Sequence, residues 1–261
     1  DSPFVEARVW ARFPRATANK VIPFGWCEKA SNNEEPLTGS HIRLGIDIAA
    51  DGGDEFVIAK ADGFKASIVH RSSGKANENA VDVANVCLHH IREAEETHAA
   101  RELQEPPRVK IDTIGVGWGV VSMLQKWGQE GKHRSKIVPV NVAERARDPQ
   151  KFRNIRSELW WNGRALLQPD QDGRQNLALD TERKVMSQLA GPTFKSDSAG
   201  RIQIETKAEM KRRGVSSPDQ AEAVLLAVYE PPGKDIPNGA PIGFGQMNEF
   251  SSLNFGNSLV L

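Results

Sequence analysis

Residues 41–71 contain three apolar segments separated by turns that are too short to hold a helix. HIRLGIDIAA (41–50) and EFVIAKA (55–61) have the composition of strands, and a DGGD turn separates them. The dipeptide Asp62-Gly63 is typical of a hairpin turn and leads into FKASIVHR (64–71). Parallel strands need a crossover of a dozen or more residues, so these three strands have to be antiparallel neighbours.

The chain then alternates helices and strands. Residues 77–104 carry apolar side chains at helical spacing and precede a fourth strand, RVKIDTIG (108–115). A short helix follows, and then a fifth strand, KIVPVNV (136–142). A strand reached through a helix lies parallel to an earlier strand. We therefore predict an α/β, ribonuclease H-like fold. Its mixed sheet has five or more strands, three antiparallel and then parallel βαβ strands, with helices on both faces.

The rest of the chain suggests how the protein is organised. Further helices are predicted at about 150–168, 179–190 and 216–230, with a hairpin at 193–206. Residues 1–40 have turn signals and little periodicity, so we expect an arm or linker there. Residues 41–232 form the predicted core domain, and the Gly/Asn/Ser-rich residues 233–261 a flexible tail.

Two aspartates lie inside apolar strands. Asp47 is flanked by Ile46 and Ile48 in the first strand, and Asp112 follows Ile111 in the fourth. A carboxylate in such surroundings has a large desolvation cost unless a cation, a cap or a metal ion balances it. A structural ion pair would explain one such residue. Two of them, on strands that can be adjacent, favour a shared metal site.

A third aspartate begins the last predicted helix. Ser217-Pro218-Asp219-Gln220 is typical of a helix start with Ser217 as the N-cap. Asp219 there either complements the helix dipole or points at the sheet edge. Together with Asp47 and Asp112 it would bind one or two Mg²⁺ or Mn²⁺ ions through oxygen. Asp54 is a fourth candidate ligand, with a turn-stabilising role as its alternative. Weaker candidates are Asp51, Glu55 and Glu222.

Net charge leaves a DNA partner open, because 34 basic residues balance 34 acidic ones. The basic residues are nevertheless clustered near the predicted site. Lys211, Arg212 and Arg213 precede Asp219, and Arg153 and Arg156 lie on the predicted helix at 150–168. We expect these five residues to contact DNA phosphates.

Several other classes are excluded or disfavoured by missing motifs. No GxxxxGK[ST] occurs, so no ATP site is expected. The segment GVGWG at 115–119 suggests a dinucleotide-binding loop, but the GxGxxG motif of such loops needs a glycine at position 120, where this sequence has Val120. Cys27 and Cys87 are far apart and suggest neither a disulfide framework nor a zinc site. No signal peptide or membrane span is evident, so we expect an intracellular protein that is not secreted.

Five sequence blocks, in order, resemble the nuclease domain of the large terminase subunit of tailed phages. They are NKVIPFGWCEKA (19–30), GIDIAADGGDEFVIA (45–59), VKIDTIGVGWGVVSML (109–124), FRNIRSELWW (152–161) and KRRGVSSPDQAEAVLLA (211–227). The sequence departs from the family pattern at Ala221-Glu222, where a further Asp is common.

This resemblance implies a metal-dependent endodeoxyribonuclease that cuts concatemeric double-stranded viral DNA during packaging. Asp47, Asp112 and Asp219 would be its catalytic and metal-binding residues, acting by two-metal phosphodiester hydrolysis that leaves a 3′-hydroxyl and a 5′-phosphate. The implied partners are a small terminase subunit, a portal protein and an ATPase motor domain in the host cell cytoplasm. The 1–40 arm would then be the connection to that motor domain. Cleavage should show little sequence preference, and binding should weaken steeply with salt.

Two alternatives remain open from the sequence, and a third is disfavoured. A Holliday-junction resolvase is the nearest nuclease alternative. A catalytically silent DNA-binding or assembly module of the packaging motor is the alternative from a different class. Sugar-kinase and actin-like ATPases share the core, but they need two such domains, and this chain has room for one.

Overall fold

The structure is a computed structural model that describes residues 19–48, 55–77 and 79–230. The predictions for Asp51, Asp54, residues 1–18 and the 233–261 tail lie outside these ranges. The described strands are β1 (Ile42–Asp47), β2 (Phe56–Asp62), β3 (Lys65–Ser72), β4 (Arg108–Asp112), β5 (Lys136–Val140), β6 (Ala178–Asp180), β7 (Phe194–Ser196) and β8 (Ile202–Ile204). The described α-helices are α1 (Phe24–Ser31), α2 (Ala80–Ala100), α3 (Gly117–Gln129), α4 (Ile155–Leu167), α5 (Arg183–Leu189), α6 (Lys207–Arg212) and α7 (Asp219–Val228).

The central sheet has the strand order β5-β4-β1-β2-β3-β6. β1, β2 and β3 are antiparallel neighbours, and β4 and β5 continue the sheet parallel to β1. The predicted mixed ribonuclease H-like arrangement is therefore confirmed. The hairpin predicted at 193–206 is also present, as the separate two-stranded sheet of β7 and β8.

The sixth strand was not predicted at its position. β6 pairs in parallel with β3, with Lys65 opposite Ala178, and helix α5 begins at Arg183 rather than near 179. A strand of three residues is too short to display a period of two, so its sequence does not distinguish it from a helix start. The open edge of β3 provides the hydrogen-bond partners for this segment.

The two faces of the sheet are covered by different helices. In β1, Ile42, Leu44 and Ile46 pack into one core with residues of α2 and α3. Successive strand residues alternate in direction, so Gly45 and Asp47 face the other side, where α7 lies across β1 and β2. A Cβ atom at Gly45 would overlap backbone atoms of α7. Glycine is thus required for α7 to lie this close to the strand that carries Asp47.

The described part of the predicted arm is ordered and contacts the core. Helix α1 packs against α4, α5 and β6, and its Cys27 is fully buried. The Leu37 amide donates to the Asn176 carbonyl at 3.0 Å. The proposed role of this segment as a connection to a motor domain stays a prediction. Among the described helices, none combines the length and apolar character needed to cross a bilayer.

Candidate metal centre

Asp47 and Asp112 lie side by side at one edge of the sheet. In the parallel pair β1–β4, Ile46 is opposite Ile111, and each aspartate is the next residue. Neighbouring strands are separated by about 4.8 Å, which brings the two carboxylates to the same edge. Both face the α7 side, because Ile46 and Ile111 face the opposite core. Their exposed fractions are only 5% and 8%.

Helix α7 contributes two more carboxylates to this edge. Asp219 and Glu222 are three residues apart in its first turn, and such residues share one helix face. They are 4% and 5% exposed. Glu222 was only a weaker candidate ligand from the sequence, but it is as buried as the three predicted aspartates. The structure therefore brings the three predicted aspartates together and adds Glu222 as a fourth carboxylate.

Asp219 is held from two sides, although the predicted helix start is wrong in detail. The helix begins at Asp219, and Ser217 does not cap a backbone amide. The Ser217 hydroxyl instead donates a hydrogen bond to Asp219 Oδ1. The backbone amide of Glu55 donates to Asp219 Oδ2 at 3.1 Å. Asp219 is thereby oriented toward the sheet edge.

Lys207 lies among these carboxylates and was not predicted as a site residue. Its Nζ is 3.0 Å from Asp219 Oδ1, 3.2 Å from Glu222 Oε2 and 3.6 Å from Asp47 Oδ2. Lys207 is the first residue of α6, which begins with a capping box formed by Thr206 and Glu209. The Thr-x-x-Glu spacing in the sequence indicates this helix start, but only the tertiary packing shows where Lys207 points.

Arg156 also belongs to the cluster. Its Nε is 2.7 Å from Glu222 Oε1, and it donates a second hydrogen bond to the Glu205 carbonyl. The indole nitrogen of Trp160 contacts the same Glu222 oxygen at 3.3 Å. We predicted that Arg156 contacts DNA, yet its nearest anionic partner is within the protein. Lys207 and Arg156 together leave two negative charges uncompensated if all four carboxylates are ionised.

The pKa values indicate which carboxylates lack compensation. Burial raises the pKa of Asp47 well above its usual range; Lys207 opposes this, and the neighbouring carboxylates reinforce it. Burial raises the pKa of Asp112 to about 6, although its carboxylate accepts a hydrogen bond from the Ile114 amide. Burial also acts on Glu222, but Arg156 and Lys207 outweigh it and lower that pKa to about 2. For Lys207, burial lowers the pKa, and the surrounding carboxylates more than reverse this.

These features fit a divalent cation. Asp47 Oδ2 is buried and accepts no hydrogen bond from the described residues. Its nearest cation, Lys207 Nζ, is 3.6 Å away, and carboxylate oxygen in an acidic cluster is the donor type that Mg²⁺ and Mn²⁺ prefer. Asp47, Asp112, Asp219 and Glu222 are the residues that would hold such an ion, and an ion would supply the positive charge that Asp47 and Asp112 lack.

The other predicted DNA contacts lie outside the carboxylate cluster. Arg213 forms an ion pair with Glu205, with Nε 2.7 Å from Oε1, and donates to the Gly191 carbonyl at 3.1 Å. Lys211, Arg212 and Arg153 have exposed side chains. Their contact with DNA stays a prediction, and Arg213 has a structural role as well.

Comparison with solved structures finds this fold in two phage proteins. The nuclease domain of the large terminase subunit gp2 of bacterial virus Sf6 has a TM-score of 0.59 at 17% identity, covering 81% of this chain and 99% of that chain. A mutant of that domain with manganese and beta-thujaplicinol has a TM-score of 0.60 at 17% identity, with the same coverage. The large terminase nuclease from thermophilic phage G20c with bound magnesium has a TM-score of 0.52 at 14% identity, covering 81% and 97%.

At these identities the likeness establishes the fold. The fold predicted from the order of strands and helices is thus the one found in terminase nuclease domains. No protein-family model matches the sequence, and a search of curated proteins finds no match.

Proposed function

We propose that this protein is a divalent-metal-dependent DNA endonuclease that cuts concatemeric double-stranded DNA as the nuclease part of a viral packaging terminase. The observation that carries this proposal is the convergence of four buried carboxylates at one sheet edge, with an Asp47 oxygen left without a hydrogen-bond partner. The shared fold with terminase nuclease domains, one of them with bound magnesium, supports the choice of reaction.

Asp47, Asp112, Asp219 and Glu222 would hold one or two Mg²⁺ or Mn²⁺ ions. Bound there, such ions stabilise the charge that develops on a phosphodiester during hydrolysis and favour deprotonation of the attacking water. The protein supplies the fixed geometry. Asp47 and Asp112 are held at the ends of adjacent strands, and Asp219 is oriented by Ser217 and the Glu55 amide. The products would be a 3′-hydroxyl and a 5′-phosphate.

Arg156 and Lys207 have different roles in this scheme. The Arg156 side chain is 11% exposed and pairs with Glu222, so it fixes that carboxylate in its ionised form. The Lys207 side chain is 40% exposed and reaches three carboxylates at once. A divalent ion in the cluster would repel the Lys207 ammonium, so ion binding has to compete with this residue.

The partners are inferred from the proposed terminase role. The substrate is double-stranded DNA, held through phosphates by the exposed Arg153, Lys211 and Arg212. An ATPase motor domain, a small terminase subunit and a portal protein would act with this domain in the host cell cytoplasm. A Holliday-junction resolvase and a catalytically silent packaging module are the alternatives that an experiment has to separate.

The test is cleavage of supercoiled plasmid with Mg²⁺, Mn²⁺ or EDTA, comparing wild type with Asp112→Asn. We expect metal-dependent nicking and linearisation that the variant loses by at least about 100-fold, since the substitution removes a ligand charge. Asp180→Asn is the matched control, because Asp180 is an exposed strand-end aspartate paired with Lys65 on the far side of the sheet. If folded wild-type protein cuts no DNA with any metal, the silent-module alternative is favoured. Preferential cutting of four-way junctions over linear duplex would favour the resolvase.

A further inference from the structure

We infer that the 113–118 loop, by which we mean the connection between β4 and α3 together with the first two residues of α3, is a DNA-contacting wedge, and that Trp118 enters the minor groove of the duplex beside the cleaved phosphate. This inference rests on the proposed nuclease function and adds to it a residue that deforms the substrate. The loop carries no charged side chain. It contacts the carboxylate cluster only through its backbone, at Asp112.

The first observation is the exposure of the loop. In the described part of the chain, four large hydrophobic side chains are exposed, and three of them are Ile114, Val116 and Trp118. Trp118 is 62% exposed, the largest fraction among them. Scattered exposed apolar residues are ordinary, but three within five positions, including a tryptophan, mark an interaction site.

The second observation is the position of the loop. It begins directly after Asp112, and the Ile114 amide donates to Asp112 Oδ1 at 3.0 Å. The Thr113 amide donates to the Val140 carbonyl at 3.0 Å, which ties the loop to the end of β5. Six residues span at most about 20 Å, so Trp118 is within about one duplex diameter of Asp112.

The loop is also held in place. A Cβ atom at Gly117 would overlap the Asp112 carbonyl oxygen, so α3 begins in direct contact with the end of β4. The Gly119 amide donates to the Val116 carbonyl at 3.1 Å, and the Ser122 hydroxyl donates to the Trp118 carbonyl at 3.0 Å. A side chain presented by a pre-organised backbone loses little conformational freedom when it binds.

Duplex DNA matches this surface better than a protein partner does. β5 runs beside β4, with Asp112 opposite Val140, and leads into a segment where Arg145 and Arg153 are exposed. The loop thus follows β4, the strand that lies between β1, which carries Asp47, and β5, which leads to this basic segment. Minor-groove proteins combine the same elements, cations on the phosphates and an apolar wedge at a base step.

A wedge makes cleavage depend on how easily the DNA deforms. Pyrimidine–purine steps unstack more readily than other steps, so they should be over-represented near the cut. This bias would be modest, because Thr113 and Trp118 are the only hydrogen-bonding side chains in residues 113–118, and neither can make the bidentate contact by which Arg, Asn or Gln distinguishes bases. It would disappear with Trp118→Ala, whereas a loop with a purely structural role would leave the distribution of cut ends unchanged.

The decisive experiment is site-specific photo-cross-linking. The photoreactive amino acid p-benzoylphenylalanine replaces Trp118 or, as the control, Val81, which is 48% exposed on helix α2. Each protein is irradiated with labelled duplex DNA in Ca²⁺. We expect a covalent adduct at position 118 and none at 81. In parallel, Trp118→Ala should weaken duplex binding about tenfold, in the range found for aromatic contacts with bases, while Trp118→Phe stays within about threefold.

The outcomes separate this inference from the proposed function. Absence of an adduct at 118, with Trp118→Ala binding and cutting DNA as wild type does, overturns the wedge and favours a protein partner on this loop. If Asp112→Asn still abolishes cutting, the nuclease proposal survives that result. If wild type cuts no DNA with any metal, the nuclease proposal fails instead, and the cross-link and the affinities still decide whether this loop contacts DNA.

Discussion

The ammonium nitrogen of Lys207 lies 3.0 Å from Oδ1 of Asp219, the carboxylate that begins helix α7. The same nitrogen is 3.2 Å from Glu222 and 3.6 Å from Asp47. One protein cation therefore contacts three of the four carboxylates that we propose as ligands of divalent ions. Metal binding and the stability of the metal-free protein should depend on this residue in opposite ways.

Lys207→Met should strengthen Mn²⁺ binding and weaken the metal-free fold. Removal of a competing cation should raise Mn²⁺ affinity about tenfold, measured by titration calorimetry. In EDTA the free energy of unfolding should fall by only about 1–2 kcal/mol, because the Lys207 side chain is 40% exposed and solvent screens it. Lys65→Met, at an exposed pair with Asp180, should change neither quantity. Unchanged or weaker Mn²⁺ binding in Lys207→Met would contradict the competition.

Asp47→Asn should stabilise the metal-free protein while removing its response to metal. The buried Asp47 carboxylate lies beside three other carboxylates, and an amide relieves that repulsion. We expect the melting temperature in EDTA to rise by about 2–4 °C, equivalent to about 1 kcal/mol. The shift that Mn²⁺ produces in wild type should be absent.

The metal measurement needs a control for a second group of possible ligands. His89, His90 and Glu93 on the surface of α2 have ligand atoms close enough to hold an ion. His90→Ala should leave the Mn²⁺ shift intact and Asp47→Asn should not. The reverse result would move the measured metal site to α2.

Asp112 should make the metal-free protein more stable at mildly acidic pH. Its folded-state pKa is about 6, above the usual value for an aspartate, so the folded protein binds a proton that the unfolded chain has lost. Between about pH 4 and pH 6 this group favours folding more as the pH falls, and above about pH 6 that gain is lost. In EDTA, the melting temperature of the wild type should therefore fall below that of Asp112→Asn, and the difference should grow from pH 4.5 to pH 7.

The same ionisation should appear in metal binding with the opposite sign. A divalent ion requires the ionised carboxylate, so Mn²⁺ affinity in wild type should rise as the pH increases through about 6. The rate of DNA cleavage should rise over the same pH range. Affinity that is flat from pH 5 to pH 7.5 would argue against Asp112 as a ligand.

Substitutions at Arg156 and Arg153 should have different effects, because we expect a structural role for the first arginine and a DNA-binding role for the second. Arg156→Met leaves Glu222 buried without its strongest partner, at a cost of about 2–4 kcal/mol in the free energy of unfolding. Arg156→Lys should not restore it, because Arg156 donates to both Glu222 and the Glu205 carbonyl. Arg153→Met, at an exposed position, should keep the stability, weaken duplex binding and lower the salt slope by about 1. Denaturant unfolding and binding at several salt concentrations measure the two effects.

The sequence predicts those parts of the molecule that depend on short-range patterns. The antiparallel order of β1, β2 and β3 could be predicted from the tight turns between them. Asp47 and Asp112 could be identified because burying a carboxylate in an apolar strand is costly. Lys207 and Glu222 gave no comparable signal, because charged residues in a helix are ordinary until the fold shows that they are buried together. Arg156 was predicted as a DNA contact for the same reason. The β6 strand was missed because its pairing depends on an edge more than 100 residues away in the chain.

The last prediction concerns Gly45, where the packing of the sheet determines the geometry of the metal centre. A Cβ atom there would overlap the Ala223 carbonyl oxygen and the Ala227 amide nitrogen. Gly45→Ala therefore has to push α7 away from β1, and with it Asp219 and Glu222 away from Asp47. We expect a loss of about 2–4 kcal/mol in stability, as for other overpacked sites, together with loss of Mn²⁺ binding.

Gly25→Ala is the matched control, because a Cβ atom at this exposed position in α1 meets nothing within 4 Å. It should leave Mn²⁺ binding unchanged and raise stability by up to about 1 kcal/mol through its better helix propensity. If Gly45→Ala bound Mn²⁺ as wild type does while stability fell, the ligands would not depend on how closely α7 approaches β1. The metal would then be held by Asp47 and Asp112, without the helix.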